Sequence, residues 1–146
     1  MNRDIGEDMF VTMIYMVLEL DTMKLTIARA GHDSPILITG GEVVRPEGSG
    51  AAIGMVDDDT FDLLIKETTV TLQPGDLLVT YTDGITEAQN AAREEWGVER
   101  FTAELVRAAP EGAHSALSHV RAAVSRHVGN RAPYDDMTLI AVRKLP

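Results

Sequence analysis

Cysteine is absent from this 146-residue chain, so neither a disulfide framework nor thiolate chemistry is open to it. That suits a reducing compartment, and the cytoplasm is the expected location. Positive charge is scarce: 13 Lys and Arg stand against 23 Asp and Glu, a formal net charge of −10. Such a surface repels phosphate backbones, which argues against a nucleic-acid partner. No apolar run approaches the roughly eighteen residues a membrane helix needs, so no membrane partner is expected. The opening "MNRDIGEDMF" carries acidic residues where a signal peptide would place an apolar stretch. Repeats and low-complexity linkers are missing too. There is one tryptophan, and Trp96 reads as a core anchor rather than a substrate platform. What is present is ordinary for a globular protein: 45% hydrophobic and 25% charged residues, in a length that supports one domain with a single core. Where carboxylates are this abundant, any that converge in the fold attract divalent cations.

Periodicity divides the chain into strands first and helices later. "MFVTMIYMVLEL" (9–20) is long, apolar and β-branched, and reads as a central strand. Asp21-Thr22 starts a turn, and "KLTIARAG" (24–31) returns as the second arm of a hairpin. "PILIT" (35–39) and "EVVR" (42–45) flank Gly40-Gly41, a two-residue hairpin turn. "GSGAAIG" (48–54) reads as a loop. "FDLLIKETTVTL" (61–72) reads as strand throughout. The turn Gln73-Pro74-Gly75-Asp76 has the residues of type II, so "LLVTYT" (77–82) is expected to return antiparallel to that strand. Val98, Phe101, Leu105 and Ala108 then recur at helical spacing. So do Leu117, Val120, Val124 and Val128, after a break at Pro110–Gly112. "TLIAVRKL" (138–145) is a last strand. Antiparallel strands followed by helices and one more strand make an α+β fold.

The chemistry gathers at strand ends. Asp83, in "TYTDGITEA", leaves the C-terminal end of one strand. Asp135 and Asp136, in "YDDMTLIAV", precede the N-terminal end of another. If those strands are antiparallel neighbours, the two ends share one edge of the sheet. Carboxylates meeting without Lys or Arg call for a proton or a cation between them. Oxygen-only ligands favour Mg²⁺ or Mn²⁺ over Zn²⁺. Asp-Gly is equally at home in a plain turn, and Asp-Asp before a strand in a solvated loop. His32 is open to a ligand or acid–base role and to simple packing at a turn. His114, His119 and His127 form no HExxH pattern and read as surface or boundary residues. The glycine-rich segment 48–54 runs into "MVDDD" rather than into a helix N-terminus, which argues against a phosphate cradle.

In this order, "MFVTMIYMVLEL", "ARAGHDSPILI", "LQPGDLLVTYTDGITEA", "WGVERF" and "DDMTLIAVR" resemble the PPM class of metal-dependent Ser/Thr protein phosphatases. The likeness is strongest to the bacterial RsbU-like and SpoIIE-like branch of stress-response and sporulation phosphatases, and it covers almost the whole chain. It implies an antiparallel β-sandwich flanked by helices, with a two-metal Mg²⁺ or Mn²⁺ site at one edge. Asp83 matches the metal-binding Asp of the family's Asp-Gly motif, with Gly84 beside it. Asp135 matches the metal-binding acid of the C-terminal motif, and Asp136 is its secondary neighbour. Gly31 and His32 match an Ala-Gly-His motif of structural character. The implied reaction is hydrolysis of phosphoserine or phosphothreonine on a regulatory protein such as an anti-sigma-factor antagonist, under an upstream sensor domain.

One departure qualifies the match. The family's Gly-Gly-Asp motif, whose Asp bridges the two metals, does not occur in these residues. The resemblance therefore implies a single domain lacking its N-terminal strands, with weak metal binding and little activity. Asp4 and Glu7 are further carboxylates that could complete a site. Missing strands would leave a raw sheet edge and favour a homodimer. The alternatives are a pseudophosphatase or protein-binding module of the same fold, and a hydrolase of some other phosphoester.

Overall fold

In chain order the elements are β1 (Met13–Glu19), β2 (Lys24–Ala30), β3 (Ile36–Thr39), β4 (Glu42–Val44), α1 (Asp58–Leu64), β5 (Glu67–Thr71) and β6 (Leu77–Tyr81). They continue with α2 (Val98–Ala108), a 3-10 turn (Ala109–Glu111), α3 (Ala113–Val128) and β7 (Leu139–Arg143). The structure is a computed structural model that describes residues 9–131 and 135–145. Asp4 and Glu7 lie outside the described residues. The strands form two antiparallel sheets, ordered β1-β2-β5 and β4-β3-β6-β7. The chain gathers into two compact units: residues up to Ser34 with Pro46–Leu72, and Pro35–Arg45 with the residues from Gln73 onward.

In the first unit β1 and β2 form the expected hairpin, with Glu19 opposite Lys24. Thr22 closes its turn: its hydroxyl donates to the Glu19 carboxylate at 2.9 Å and accepts from the Lys24 N–H at 3.2 Å. Leu25, Ile27 and Leu72 are fully buried, whereas no residue of β1 is. The reading of 9–20 as a central strand is therefore corrected. Among the described residues β1 has β2 as its one strand neighbour and stands at the edge.

The strand read over 61–72 is corrected as well. Its first part is helical, because α1 runs to Leu64 and β5 starts only at Glu67. The cause is Asp57, just upstream. Its carboxylate accepts from the Thr60 N–H at 2.9 Å and from the Thr60 hydroxyl at 2.8 Å. Asp58 and Asp59 follow in the first turn, where the helix dipole favours negative charge. The run "MVDDD" is thus a helix start after all, but an acidic one, which repels rather than cradles phosphate.

The second unit holds the larger core. Every residue of β6 is buried. Leu77, Val79 and Tyr81 of β6 join Ile36 and Ile38 of β3 in one cluster with Phe101 and Leu105 of α2 and Val120 and Val124 of α3. The helical spacing read from the sequence is what places those helix residues on one face. Tyr81 and Phe101 meet edge to face with ring centroids 4.7 Å apart, and Trp96 is buried beside Phe101 at 5.9 Å, the expected anchor. The β3–β4 hairpin turns on Gly40 and Gly41, both at positive φ (57° and 85°), as a type I′ turn requires.

The partner of β6 differs from expectation. The turn at 73–76 forms as read, with Gly75 at φ 92° and the Asp76 N–H donating to Gln73 O at 3.0 Å. It does not fold β6 back on β5. β6 instead pairs with β3 on one side and β7 on the other. Gly75 and Asp76 bond to the C-terminal end of β7: the Gly75 N–H donates to Lys144 O at 2.9 Å and the Lys144 N–H to Asp76 O at 3.0 Å.

Candidate metal centre

The pairing of β6 with β7 decides where the acids go. Tyr81, the last residue of β6, lies opposite Leu139, the first of β7. The ladder runs one step further, with the Thr82 N–H donating to Thr138 O at 3.1 Å. The Thr82 hydroxyl then does two things. It accepts from the Thr138 N–H at 2.9 Å and donates to Asp136 O at 3.2 Å. This clasp brings the segment carrying Asp83 and the segment carrying Asp135 and Asp136 to the same end of one sheet.

Gly84 tightens the junction. A Cβ on it would lie 2.4 Å from Asp136 O and 3.5 Å from the Asp135 Cβ. No side chain fits there, so the two segments touch backbone to backbone. Asp83 O accepts from the Glu87 N–H at 2.8 Å and from the Thr86 hydroxyl at 3.2 Å, which folds 83–87 into a tight turn. Asp135 Oδ1 accepts from the Asp136 N–H at 2.7 Å. All three aspartates are exposed. The ion pairs Lys24–Glu19 and Arg107–Glu104 involve none of these carboxylates.

The oxygen-only donor set fits a hard cation such as Mg²⁺ or Mn²⁺ in kind. It falls short in number: among the described residues no group of three His, Cys, Asp or Glu side chains is arranged to hold a metal. A groove of about 310 Å³ begins close to these acids in sequence, at Ile85 and Met137, and runs along Leu117, Val120 and Val124 of α3. Its lining is mainly apolar, with Arg121 and Ser125 among the lining residues.

The remaining candidates lie elsewhere. Gly31 and His32 belong to the first unit. Gly31 has φ 66°, and a Cβ on it would come 2.7 Å from the Ala52 Cβ. Its N–H donates to Gly50 O at 2.9 Å. His32 O accepts from Arg29 Nη1 at 2.6 Å, and the ring Nδ1 is 3.1 Å from Asp33 O. These contacts make the Ala-Gly-His segment a backbone brace. His114 is exposed and His119 half-buried on α3, while His127 reaches Glu94 O through Nε2 at 2.9 Å and Arg100 through Nδ1 at 3.3 Å, tying α3 to α2 and to the loop before it. Thr82 was missed in the sequence. The Thr-Asp-Gly triplet and the Thr138 of "DDMT" were in view, but the clasp exists only once the strands pair.

Residues 1–145 match the family described as Stage II sporulation protein E (SpoIIE). The chain belongs to the SpoIIE family. Among curated relatives, this SpoIIE-family chain is 29% identical over 136 residues to Protein IcfG of Synechocystis, covering 92% of the chain and 20% of IcfG. Among solved structures it resembles the SpoIIE phosphatase domain of Bacillus subtilis, presoaked with manganese, at TM-score 0.70 and 21% identity. That match covers 92% of this chain and 56% of the other. The SiaA PP2C domain of Pseudomonas aeruginosa matches at TM-score 0.76 and 22% identity, over 89% of this chain and 50% of the other. The two antiparallel sheets and three helices are thus those of a PP2C-type phosphatase fold. The chain spans about half the length of these solved domains and a fifth of IcfG.

Proposed function

We propose that this chain is the part of a Mg²⁺- or Mn²⁺-dependent Ser/Thr protein phosphatase domain that carries Asp83 and Asp135 as metal ligands, with Asp136 beside them. The observation that supports it is the junction of β6 and β7, where aspartates from distant parts of the sequence share one sheet end across Gly84. A divalent metal pair, when bound, supplies an activated water and charge neutralisation for in-line attack on a phosphoryl group. The chain's own task is to hold Asp83 and Asp135 in register through the Thr82 clasp, and to keep the approach clear of a Cβ at position 84. The substrate in this reading is a phosphoserine or phosphothreonine on a cytoplasmic regulatory protein of a bacterial stress or sporulation response, of the anti-sigma-factor-antagonist kind. A sensor domain elsewhere in the parent protein governs it.

A second reading is a pseudophosphatase that uses the same fold to hold a protein partner. It is favoured by the lack of any three-ligand metal group among the described residues.

Mn²⁺ binding, read by electron paramagnetic resonance, separates the two. The first reading expects weak binding by the 146-residue chain, lost in Asp83→Asn and in Asp135→Asn. It also expects very slow or no aryl phosphate hydrolysis by this chain, and turnover once a longer chain supplies a bridging carboxylate. No Mn²⁺ binding by either chain favours the pseudophosphatase. Robust turnover by the 146-residue chain, abolished by Asp83→Asn, shows that its site is completed in another way.

A further inference from the structure

The second unit carries an open pocket of about 840 Å³ beside the end of α3. One wall is the turn at Asn90–Arg93, and the other is the run from His127 to Arg131. The described residues that line it include Arg93 and Arg131 and no carboxylate. In a chain of net charge −10, that makes the pocket a place of opposite sign. Hydrogen bonds within and between the walls shape it. Asn90 Oδ1 accepts from the N–H groups of Ala92 at 2.9 Å and Glu94 at 3.0 Å, and Asn90 O accepts from the Arg93 N–H at 3.0 Å. These bonds hold Arg93 at φ 65°, exposed at the tip. Asn90 O accepts also from Arg131 Nη1 at 3.0 Å, which fixes that guanidinium between the walls. Glu94, the acid next to Arg93, has its carboxylate held by Asn90 Nδ2 at 2.7 Å. The last carbonyls of a helix disfavour an anion, but here they are engaged. Ser125 O accepts from the Gly129 N–H at 3.0 Å and Val128 O from the Arg131 N–H at 3.4 Å.

Both walls lead to the candidate metal centre. The turn is the tip of a hairpin that follows Asp83 in the chain, closed by the Trp96 N–H on Ala88 O and the Gly97 N–H on Thr86 O, each at 2.8 Å. Arg131 stands four residues before Asp135, a reach of at most about 14 Å. We propose, resting on the phosphatase reading above, that this pocket docks an acidic stretch of the protein substrate. Its carboxylates pair with Arg93 and Arg131 while the phosphorylated serine or threonine lies at the metal centre. An extended peptide advances about 3.3 Å per residue, so acids about four residues from the phosphorylated one match the span. A guanidinium presents a fork of N–H donors to the two oxygens of a carboxylate, so arginine suits this ligand better than lysine does. The acidic surface of the chain repels such a peptide at long range, so its attraction is local to the pocket and selects where it binds.

Fluorescein-labelled peptides with a central phosphoserine test this by fluorescence anisotropy, with the 146-residue chain at low salt and without metal. One peptide carries glutamates about four positions to either side of the phosphoserine, the second glutamines there, and the third lysines. The chain should bind the glutamate peptide about fivefold or more tightly than the glutamine peptide, and the preference should shrink as NaCl rises. Arg93→Gln should remove the preference, and Arg93→Glu should turn it toward the lysine peptide. Neither variant asks more of the backbone at φ 65° than arginine does, so the turn is kept. Asp83→Asn should leave the preference intact, because that carboxylate belongs to the metal centre and not to the pocket. Equal binding of the glutamate and glutamine peptides overturns the proposal, and leaves the phosphatase reading standing if Mn²⁺ binds as expected above. A preference that survives both Arg93 variants overturns it too, as does displacement of the glutamate peptide by an equimolar amount of inorganic phosphate. A preference that depends on Arg93, in a protein that binds no Mn²⁺ in either chain length, supports the docking pocket and sinks the phosphatase reading alone.

Discussion

Gly84 shows how much one missing Cβ decides. Its φ is not among the positive ones, so the requirement is space and not backbone conformation. The carbonyl oxygen of Asp136 occupies the place where a side chain would begin, and a backbone atom cannot swing aside as a flexible side-chain tip can. Gly84→Ala therefore has to part the segments that carry Asp83 and Asp136. Overpacking of this kind costs about 1–3 kcal/mol. The expected outcome is an unfolding free energy lowered by that amount, seen as a lower urea midpoint, together with loss of Mn²⁺ binding, since the two segments no longer share their geometry. An unchanged midpoint would mean that the junction is looser than a 2.4 Å approach implies. The sequence showed Asp-Gly as a motif and left its meaning open between turn and site. The structure shows a turn whose glycine also admits a neighbouring backbone.

Among the elements, α1 is the one the hydrophobic pattern concealed. Phe61, Leu63, Leu64 and Ile65 look like a buried strand, yet α1 buries no residue fully, and Leu63 is 78% exposed. Its start rests on Asp57. The Thr60 N–H, first, and then the Thr60 hydroxyl hold the Asp57 carboxyl below its ordinary value of 3.8. A carboxylate whose folded pKa is depressed contributes its stabilisation above the unfolded pKa and loses it as pH falls through the folded pKa. Capping of α1 should thus be intact at neutral pH and fade below about pH 3.8. The Thr60 amide resonance and its exchange rate report this directly. Asp57→Asn keeps an acceptor at the cap and should remove the pH dependence while leaving α1 formed at neutral pH. A Thr60 amide whose acid response is the same in Asp57→Asn would assign the titration to another group. The longer helices needed no such help to be read, because Phe101, Leu105, Val120 and Val124 repeat with a period that burial then used directly.

For the whole molecule, charge is the dominant quantity. A net charge of −10 means self-repulsion that salt screens. Raising NaCl from low to physiological concentration should raise the melting temperature, and Asp83→Asn should respond in the same direction. Mn²⁺ at matched ionic strength should add a further shift only where the Asp83 carboxylate remains. At tenfold above its dissociation constant that shift corresponds to about 1.4 kcal/mol. Equal shifts in both proteins would reduce the metal effect to screening. Among the described residues no helix is long and apolar enough to cross a membrane.

Most of the local structure was written in the sequence itself. The turns at Gly40-Gly41 and Gln73–Asp76, the periods of α2 and α3, and the position of each candidate aspartate at a strand end all depend on residues within a few positions of each other. Short-range chemistry suffices for them. The choice of strand neighbours does not work that way. β6 follows β5 after a tight turn, yet pairs with β3, which precedes it by about forty residues, and with β7, which follows it by about sixty. Such pairings are settled by which apolar faces can be buried together, and "LLVTY", apolar enough to be buried throughout, is compatible with several neighbours. Only the folded chain decided that Thr82 would clasp Asp136 and that Gly84 would face a carbonyl.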